Sequence, residues 1–390
     1  MSPLCRHFPR CGGCQILDVD YPEQLRRKQA DVLGHFAAWP AARIDPILPS
    51  PVLTGYRHKV QLPFGAGGGA RGGKGVTLGC YAAGSHRVVD QEECLVQEPG
   101  LSRLAWGVRD WAQAQGLGIY REDTGKGLLR HLLLRRGAAT GEILLGLVTN
   151  GPWPDAQERL PSLLEACRQA LVVPGESGRL VGVVQHINPN RTNVVLSGEE
   201  RTLWGRPYLK ENLGAFAFRV GLSTFFQINP FQTPRLYALV GAAIPRGEAV
   251  LDLYCGIGSI SLWVSPGARE IFGVEENPAS VAAARRAAEA NGVGNAGFLA
   301  SDAGPALAGI APCRFGTAIV DPPRKGLEPQ VRESLEKLGL ARLIYVSCFP
   351  ATLARDALAL AGAFRLASVS PVDMFPHTRH VECVAVLEAR

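Results

Sequence analysis

Between residues 249 and 350 five short apolar runs each close on a polar turn: AVLDLYCGIG, IFGVEENP, AGFLASDAG, TAIVDPPRKG and LIYVSCFP. The stretches between them are long enough for helices. Parallel strands need a crossover connection, because a tight turn can join only antiparallel neighbours. The pattern therefore predicts an open α/β sheet with helical crossovers, and such sheets hold their ligands in the crevice beyond the carboxyl ends of the strands. Asp252, Tyr254, Glu275, Asp302, Asp321 and the thiol of Cys348 all sit at those ends. One crevice should collect them.

The first turn reads Asp-x-x-x-Gly-x-Gly, not the Gly-x-Gly-x-x-Gly of a dinucleotide site, and its glycines let a ligand approach the backbone closely. Glu275 ends the next strand, placed for ribose hydroxyls. Acidic residues on successive strand tips fit S-adenosylmethionine better than NAD, although each carboxylate alone is as readily a helix N-cap. The last two turns differ in kind. Asp321-Pro322-Pro323 offers a carboxylate on stiffened backbone, and Cys348 lies on a tight turn beside Pro350. A cysteine is ordinarily an inert core residue; its place at a strand end beside a methyl-donor pocket makes this one a candidate nucleophile.

The N-terminal part carries a different signal. Cys5, Cys11 and Cys14 form Cys-x5-Cys-x2-Cys in the loop CRHFPRCGGC, Cys94 follows in VVDQEECLVQEP, and Cys80 lies between. With no apolar stretch of 18 residues and no signal-peptide pattern, the expected location is cytoplasmic, with no membrane partner, and clustered thiols there point to metal and not to disulfides. Four thiolates suit tetrahedral zinc or an iron–sulfur cluster, and the spacing leaves both open. The net charge of +6 falls entirely in the first 230 residues, where 26 basic residues meet 20 acidic ones. That is a modest sign of a nucleic-acid partner, matched equally by scattered surface arginines.

The rest divides by pattern. Residues 22–36 read as an amphipathic helix, and the glycine run at 65–75 as a hairpin tip whose Arg71 and Lys74 are in reach of phosphate. Helix-like and strand-like segments alternate over 101–220, predicting an α+β domain with a largely antiparallel sheet. Arg130, His131, Arg135 and Arg136 flank one of its strands, as an RNA groove or, more simply, a solvated edge. The expected division is 1–95 for the cysteine loop and first helix, 96–220 for an RNA-binding α+β domain and 221–390 for the α/β domain.

Together the N-terminal cysteines, FFQINP at 225–230, DLYCGIG, VDPPRKG, SCFPATLARD and MFPHTRHVE resemble the RNA uracil-5 methyltransferase family, in particular its iron–sulfur members that modify 23S ribosomal RNA. The resemblance spans nearly the whole chain. It implies a C-terminal Rossmann-like S-adenosylmethionine domain and a [4Fe–4S] cluster on Cys5, Cys11, Cys14 and Cys94, with Cys80 outside it. It further implies that Gln227, Tyr254, Glu275, Asp302 and Asp321 contact the methyl donor. Cys348 then adds to uracil C6, and Glu382 takes the C5 proton; a lone glutamate at a strand start is otherwise more often a surface residue. His377 and His380 read as packing or RNA contacts. Phe225 or Phe226 is placed to stack near a base that must be unpaired or flipped out.

Two departures bear on target and pocket. Phe349 stands where the family has Asn, and an RNA-binding barrel of some members is expected to be missing because the cysteine loop starts at residue 5. Structured RNA is the expected partner, 23S ribosomal RNA first and transfer RNA second, with no obligate protein partner. Methylation of an exocyclic amine fits less well, since Arg324 follows Asp-Pro-Pro where those enzymes carry an aromatic residue. A non-catalytic RNA-binding iron–sulfur protein is the alternative from another class.

Overall fold

The computed structural model describes residues 5–67, 75–173, 178–192 and 194–390, so Arg71 and Lys74 lie outside the described residues. The chain forms two compact units: Met1–Asp18, Val52–Asn212 and Arg219–Ser223 make the first, and Val19–Pro51, Leu213–Phe218 and Thr224–Arg390 the second. Residues 1–95, which the sequence places in one segment, are thus shared between them. The cause is a strand of two residues, Arg43–Ile44, which pairs in parallel with Phe364–Val372, and the preceding helix Tyr21–His35, whose Val32 joins the second unit's core. A two-residue strand carries no periodicity by which to recognise it.

In the second unit an eight-stranded sheet runs in the order 43–44, 364–372, 382–389, 342–347, 317–320, 249–253, 270–275, 296–300. The pairings are parallel except those of Glu382–Ala389, which runs antiparallel to both neighbours. Strands Ala249–Leu253 and Thr317–Val320 are buried at every residue, and so appear as unbroken apolar runs without alternation. Chain order reverses between these two strands, because 249–253 continues to 270–275 on one side and meets 317–320 on the other. The crevice beyond that reversal is where an α/β sheet binds ligands.

Helix Tyr21–His35 is fastened to this unit by a buried ion pair. Lys28 Nζ lies 2.6 Å from Asp373 Oδ1, with side chains 2% and 0% exposed, and also donates to the Phe375 carbonyl at 3.1 Å. Tyr21 donates its hydroxyl to the other oxygen of Asp373 at 2.9 Å. Lys28→Met leaves the Asp373 carboxylate buried without its cation, and the expected loss of stability is about 3–5 kcal/mol. Urea unfolding measures it, and adding Asp373→Asn to Lys28→Met should recover part of the loss because the stranded charge is then removed.

In the first unit a sheet runs in the order 88–90, 76–81, 59–66, 129–136, 142–149, 179–187, 199–205, antiparallel except between 142–149 and 179–187. Helices Pro99–Ala114 and Ala156–Leu171 contribute Leu101, Leu104, Val108, Trp111 and Leu163 to its core. Strand Leu129–Arg136 lies mid-sheet, which overturns the reading of its basic residues as a solvated edge. Arg130 and Arg135 are 7% and 4% exposed, burial pulls the Arg135 guanidinium down to about 9, and Arg136 sits 3.4 Å from Glu98. Neighbouring strands on both sides enclose what the strand alone presents as polar. Among the described residues no helix is long and apolar enough to cross a membrane.

Candidate active site

The first turn of the α/β unit is shaped by three residues in the left-handed region, Tyr254 (φ 63°), Gly256 (φ 56°) and Gly258 (φ 77°). Two are glycines, for which that region is free of Cβ strain; Tyr254 adopts it against its ordinary preference. Asp252, fully buried, accepts the Ser261 hydroxyl on one oxygen, while the other has no hydrogen-bond partner among the described residues, and burial pushes its carboxyl up to about 7. This bond ties the strand to the helix Ser259–Val264 that follows the turn. Glu275 closes it from the next strand, accepting Gly256 N–H at 3.2 Å and Asn277 N–H at 3.0 Å.

The remaining expected donor contacts are in different states. Asp302 is exposed at the N-cap of Ala303–Ala308 and makes no capping bond with its side chain. Gln227 is half-buried in the extended segment 225–230. That segment is anchored by Asn229, which donates to the Met374 carbonyl at 2.9 Å and accepts from Phe231 and Gln232 N–H at 3.2 Å each. Phe226 packs on Phe218 at 5.6 Å between ring centroids, and Phe225 is left exposed.

On the other side of the chain reversal, Asp321, Arg324, Cys348 and Glu382 come together. Cys348 follows strand Arg342–Ser347 and precedes helix Pro350–Ala359. Burial pushes its thiol up, Glu382 pushes it further, and the neighbouring Arg324 guanidinium pulls it down. Glu382 is 5% exposed and is pushed up to about 8 by burial, with Asp321 adding and Arg324 opposing. Burial and then Asp252 push Asp321 up to about 7. Arg324 Nη2 lies 2.9 Å from His380 Nδ1, while His377 is buried and bonded to Gln24, which gives it a packing role. Phe349 is 45% exposed at the helix N-cap, and its backbone N–H donates to Ser347 Oγ at 3.1 Å.

The sequence assigned Arg324 no place beside the thiol. Its signal was present as the fourth residue of Asp-Pro-Pro-Arg, and only the meeting of two turns gives it meaning. A thiol with an adjoining cation, a neutral-leaning carboxyl and a second carboxyl at a strand-end crevice can add to an electrophilic ring carbon and then remove a proton from the carbon beside it.

In the first unit one small cavity is lined by Cys5, Cys11, Cys14 and Cys94. Cys80, expected apart from them, lines it too, because strand Val76–Tyr81 runs beside the loop through the Cys11–Ala82 bridge. Cys11 accepts from Gln91 Nε2 at 3.0 Å and Gly13 N–H at 3.3 Å; the Cys80 thiol, first, and then these donors hold its pKa down. Cys14 is pushed up to about 12 by burial and by the neighbouring cysteines. Among the described residues no three His, Cys, Asp or Glu side chains are grouped to hold a single metal ion.

Residues 212–390 match the family described as tRNA (uracil-5-)-methyltransferase. A protein of Leptospira interrogans named as an uncharacterized RNA methyltransferase is 39% identical over 99% of this chain and 98% of its own. One of Gloeobacter violaceus with the same description is 40% identical over 98% of this chain and 82% of its own. Among solved structures, the Pyrococcus abyssi tRNA (uracil-54, C5)-methyltransferase in complex with S-adenosyl-L-homocysteine superposes with a TM-score of 0.76 at 26% identity, covering 97% of this chain and 86% of that one.

Proposed function

The chain belongs to the tRNA (uracil-5-)-methyltransferase family of S-adenosylmethionine-dependent RNA methyltransferases, and from that premise we propose that it makes 5-methyluridine in 23S ribosomal RNA through a covalent Cys348 adduct. The observation that carries the chemistry is the convergence of Cys348, Arg324, Glu382 and Asp321 at one strand-end crevice. Uracil C5 is too weak a nucleophile to take a methyl group unaided. Cys348, its thiolate favoured by Arg324, adds to C6 and sends the electron pair to C5. S-adenosylmethionine, when bound, supplies an electrophilic methyl group on sulfonium sulfur. Glu382, ionised, removes the C5 proton, and reformation of the C5–C6 double bond expels the Cys348 thiolate. Asp321 steers the uracil while Pro322 and Pro323 stiffen its turn.

The residues around the first turn fit the donor. Two carboxylate oxygens offer about four acceptor sites, so Glu275 keeps capacity for ribose hydroxyls after binding two backbone N–H groups. Gln227, Tyr254, Asp302 and Asp321 complete the proposed set. In the first unit Cys5, Cys11, Cys14 and Cys94 line one cavity, with Cys80 beside them, and these four are the proposed [4Fe–4S] ligands, thiolates being the donors such a cluster takes. The cluster's contribution would be to hold the N-terminal loop folded. A groove of about 700 Å³ that shares Gly13 and Cys80 with this cavity is lined by Tyr81, His86 and His131, ring faces of the kind single-stranded RNA stacks on.

The name of the matching family and of the Pyrococcus enzyme favours transfer RNA as the second reading. Tritium release from RNA labelled at uridine C5 tests both, with purified 23S ribosomal RNA and transfer RNA from a strain lacking the protein. Release from the ribosomal RNA, with 5-methyluridine found by mass spectrometry, is expected. Release from transfer RNA alone moves the substrate, and release from neither removes the reading.

A further inference from the structure

Asp356, fully buried on helix Pro350–Ala359, accepts hydrogen bonds from the turn that carries Arg324 and from the strand that delivers Cys348. Its Oδ2 accepts the Leu327 N–H at 2.7 Å and the Tyr345 hydroxyl at 2.8 Å. Its Oδ1 accepts Arg332 Nη1 at 3.0 Å and Arg355 Nη2 at 2.8 Å. The two arginines reach onward to the same turn: Arg332 donates to the Leu327 carbonyl at 2.6 Å and Arg355 to the Lys325 carbonyl at 2.7 Å. Leu327 is therefore held at both its backbone N–H and its carbonyl. Gly326 between them has φ 79°, and a Cβ there would stand 2.4 Å from Asp356 Oδ2, so the turn closes on the carboxylate only with glycine.

These bonds have a direction. Tyr345 lies on strand Arg342–Ser347, which delivers Cys348, and Leu327 belongs to the turn that begins with Asp321 and carries Arg324. Arg324 is exposed, so the place of its guanidinium beside the thiol is set by the turn that carries it together with its contact to His380 Nδ1 at 2.9 Å. Resting on the reading of Cys348 as nucleophile, we propose that Asp356 is a positioning residue for methyl transfer: through Leu327 and Tyr345 it locks the Asp321–Arg324 turn to the strand end bearing Cys348. A buried carboxylate satisfied by donors of four residues, Leu327, Tyr345, Arg332 and Arg355, is rigid, and rigidity here fixes the separation between the guanidinium and the sulfur.

The two oxygens divide the test. In Asp356→Asn the amide oxygen can keep Leu327 and Tyr345 while the amide nitrogen loses both arginines; Asp356→Ala loses everything. For Asp356→Ala the expected kcat falls about 10²-fold with KM for S-adenosylmethionine unchanged, the cost of a displacement near 1 Å in reacting groups. Alkylation of Cys348 by iodoacetamide should move to higher pH, because of the groups facing the thiol, Glu382, Asp321 and Arg324, the cation is the one released. Asp356→Asn should restore most of kcat and the original alkylation profile. Gly326→Ala, which pushes the turn off the carboxylate from the other side, should reproduce the alkylation shift if Asp356→Ala does not fold. An unchanged alkylation profile in Asp356→Ala or Gly326→Ala, whatever happens to the melting temperature, overturns the proposal. Should the wild-type protein methylate no RNA, the functional reading fails while the alkylation comparison still decides the role of Asp356.

Discussion

Cys348→Ala should lose methylation by at least about 10⁴-fold in kcat while still binding S-adenosylmethionine, since removing a covalent nucleophile deletes the pathway and not one contact within it. The donor contacts proposed here, Tyr254 and Glu275 among them, stand on other strands and do not depend on the thiol. RNA containing 5-fluorouridine gives the sharper measurement. After methylation its C5 bears fluorine where the ordinary substrate bears a proton, so Glu382 has nothing to remove and the protein–RNA bond persists. A denaturation-resistant complex is expected from the wild type and none from Cys348→Ala. Full turnover by Cys348→Ser, whose hydroxyl is a far poorer nucleophile, would falsify the covalent route.

Glu382→Gln is the second large effect. Proton transfer by a placed side chain contributes about 10²–10⁴-fold, and kcat should drop within that range. Addition of Cys348 and methyl transfer do not need the carboxylate, so the variant should accumulate a covalent complex whose uridine already carries the methyl group. Mass spectrometry of the trapped complex distinguishes this from Cys348→Ala, which forms none. The wild-type pH profile carries the same signature. Because burial and Asp321 push Glu382 up to about 8, it is neutral in the free enzyme at lower pH, and kcat/KM should rise as pH approaches that value. Stability moves the opposite way. A carboxyl whose folded pKa lies above its unfolded 4.5 stabilises fully below 4.5, and that contribution is lost as pH rises through about 8. The melting temperature should fall across that interval, and less steeply in Glu382→Gln.

How much of this was legible in the residues differs by element. The strands leading to Tyr254, Asp321 and Cys348 were readable because a parallel strand buried on both faces is a nearly unbroken apolar run that stops where the chain meets the crevice. The gathering of the loop cysteines was readable because Cys5, Cys11 and Cys14 fall within ten residues, although the inclusion of Cys80 in the cavity was not. Arg130 and Arg135 misled, since a strand's own sequence does not state that neighbours will enclose it.

What composition, periodicity and motif determined by themselves was the α/β class of the C-terminal half, the ends of its strands and which polar groups those ends present. What only the tertiary structure decided was which of those groups act on one another. Arg324, Cys348 and Glu382 are brought together by sheet order, with Glu382–Ala389 inserted antiparallel beside Arg342–Ser347. Periodicity reports the burial of a face and is local, whereas a pKa pushed up to about 8 and a guanidinium held against a thiol arise from atoms that chain distance leaves unrelated until the sheet is assembled.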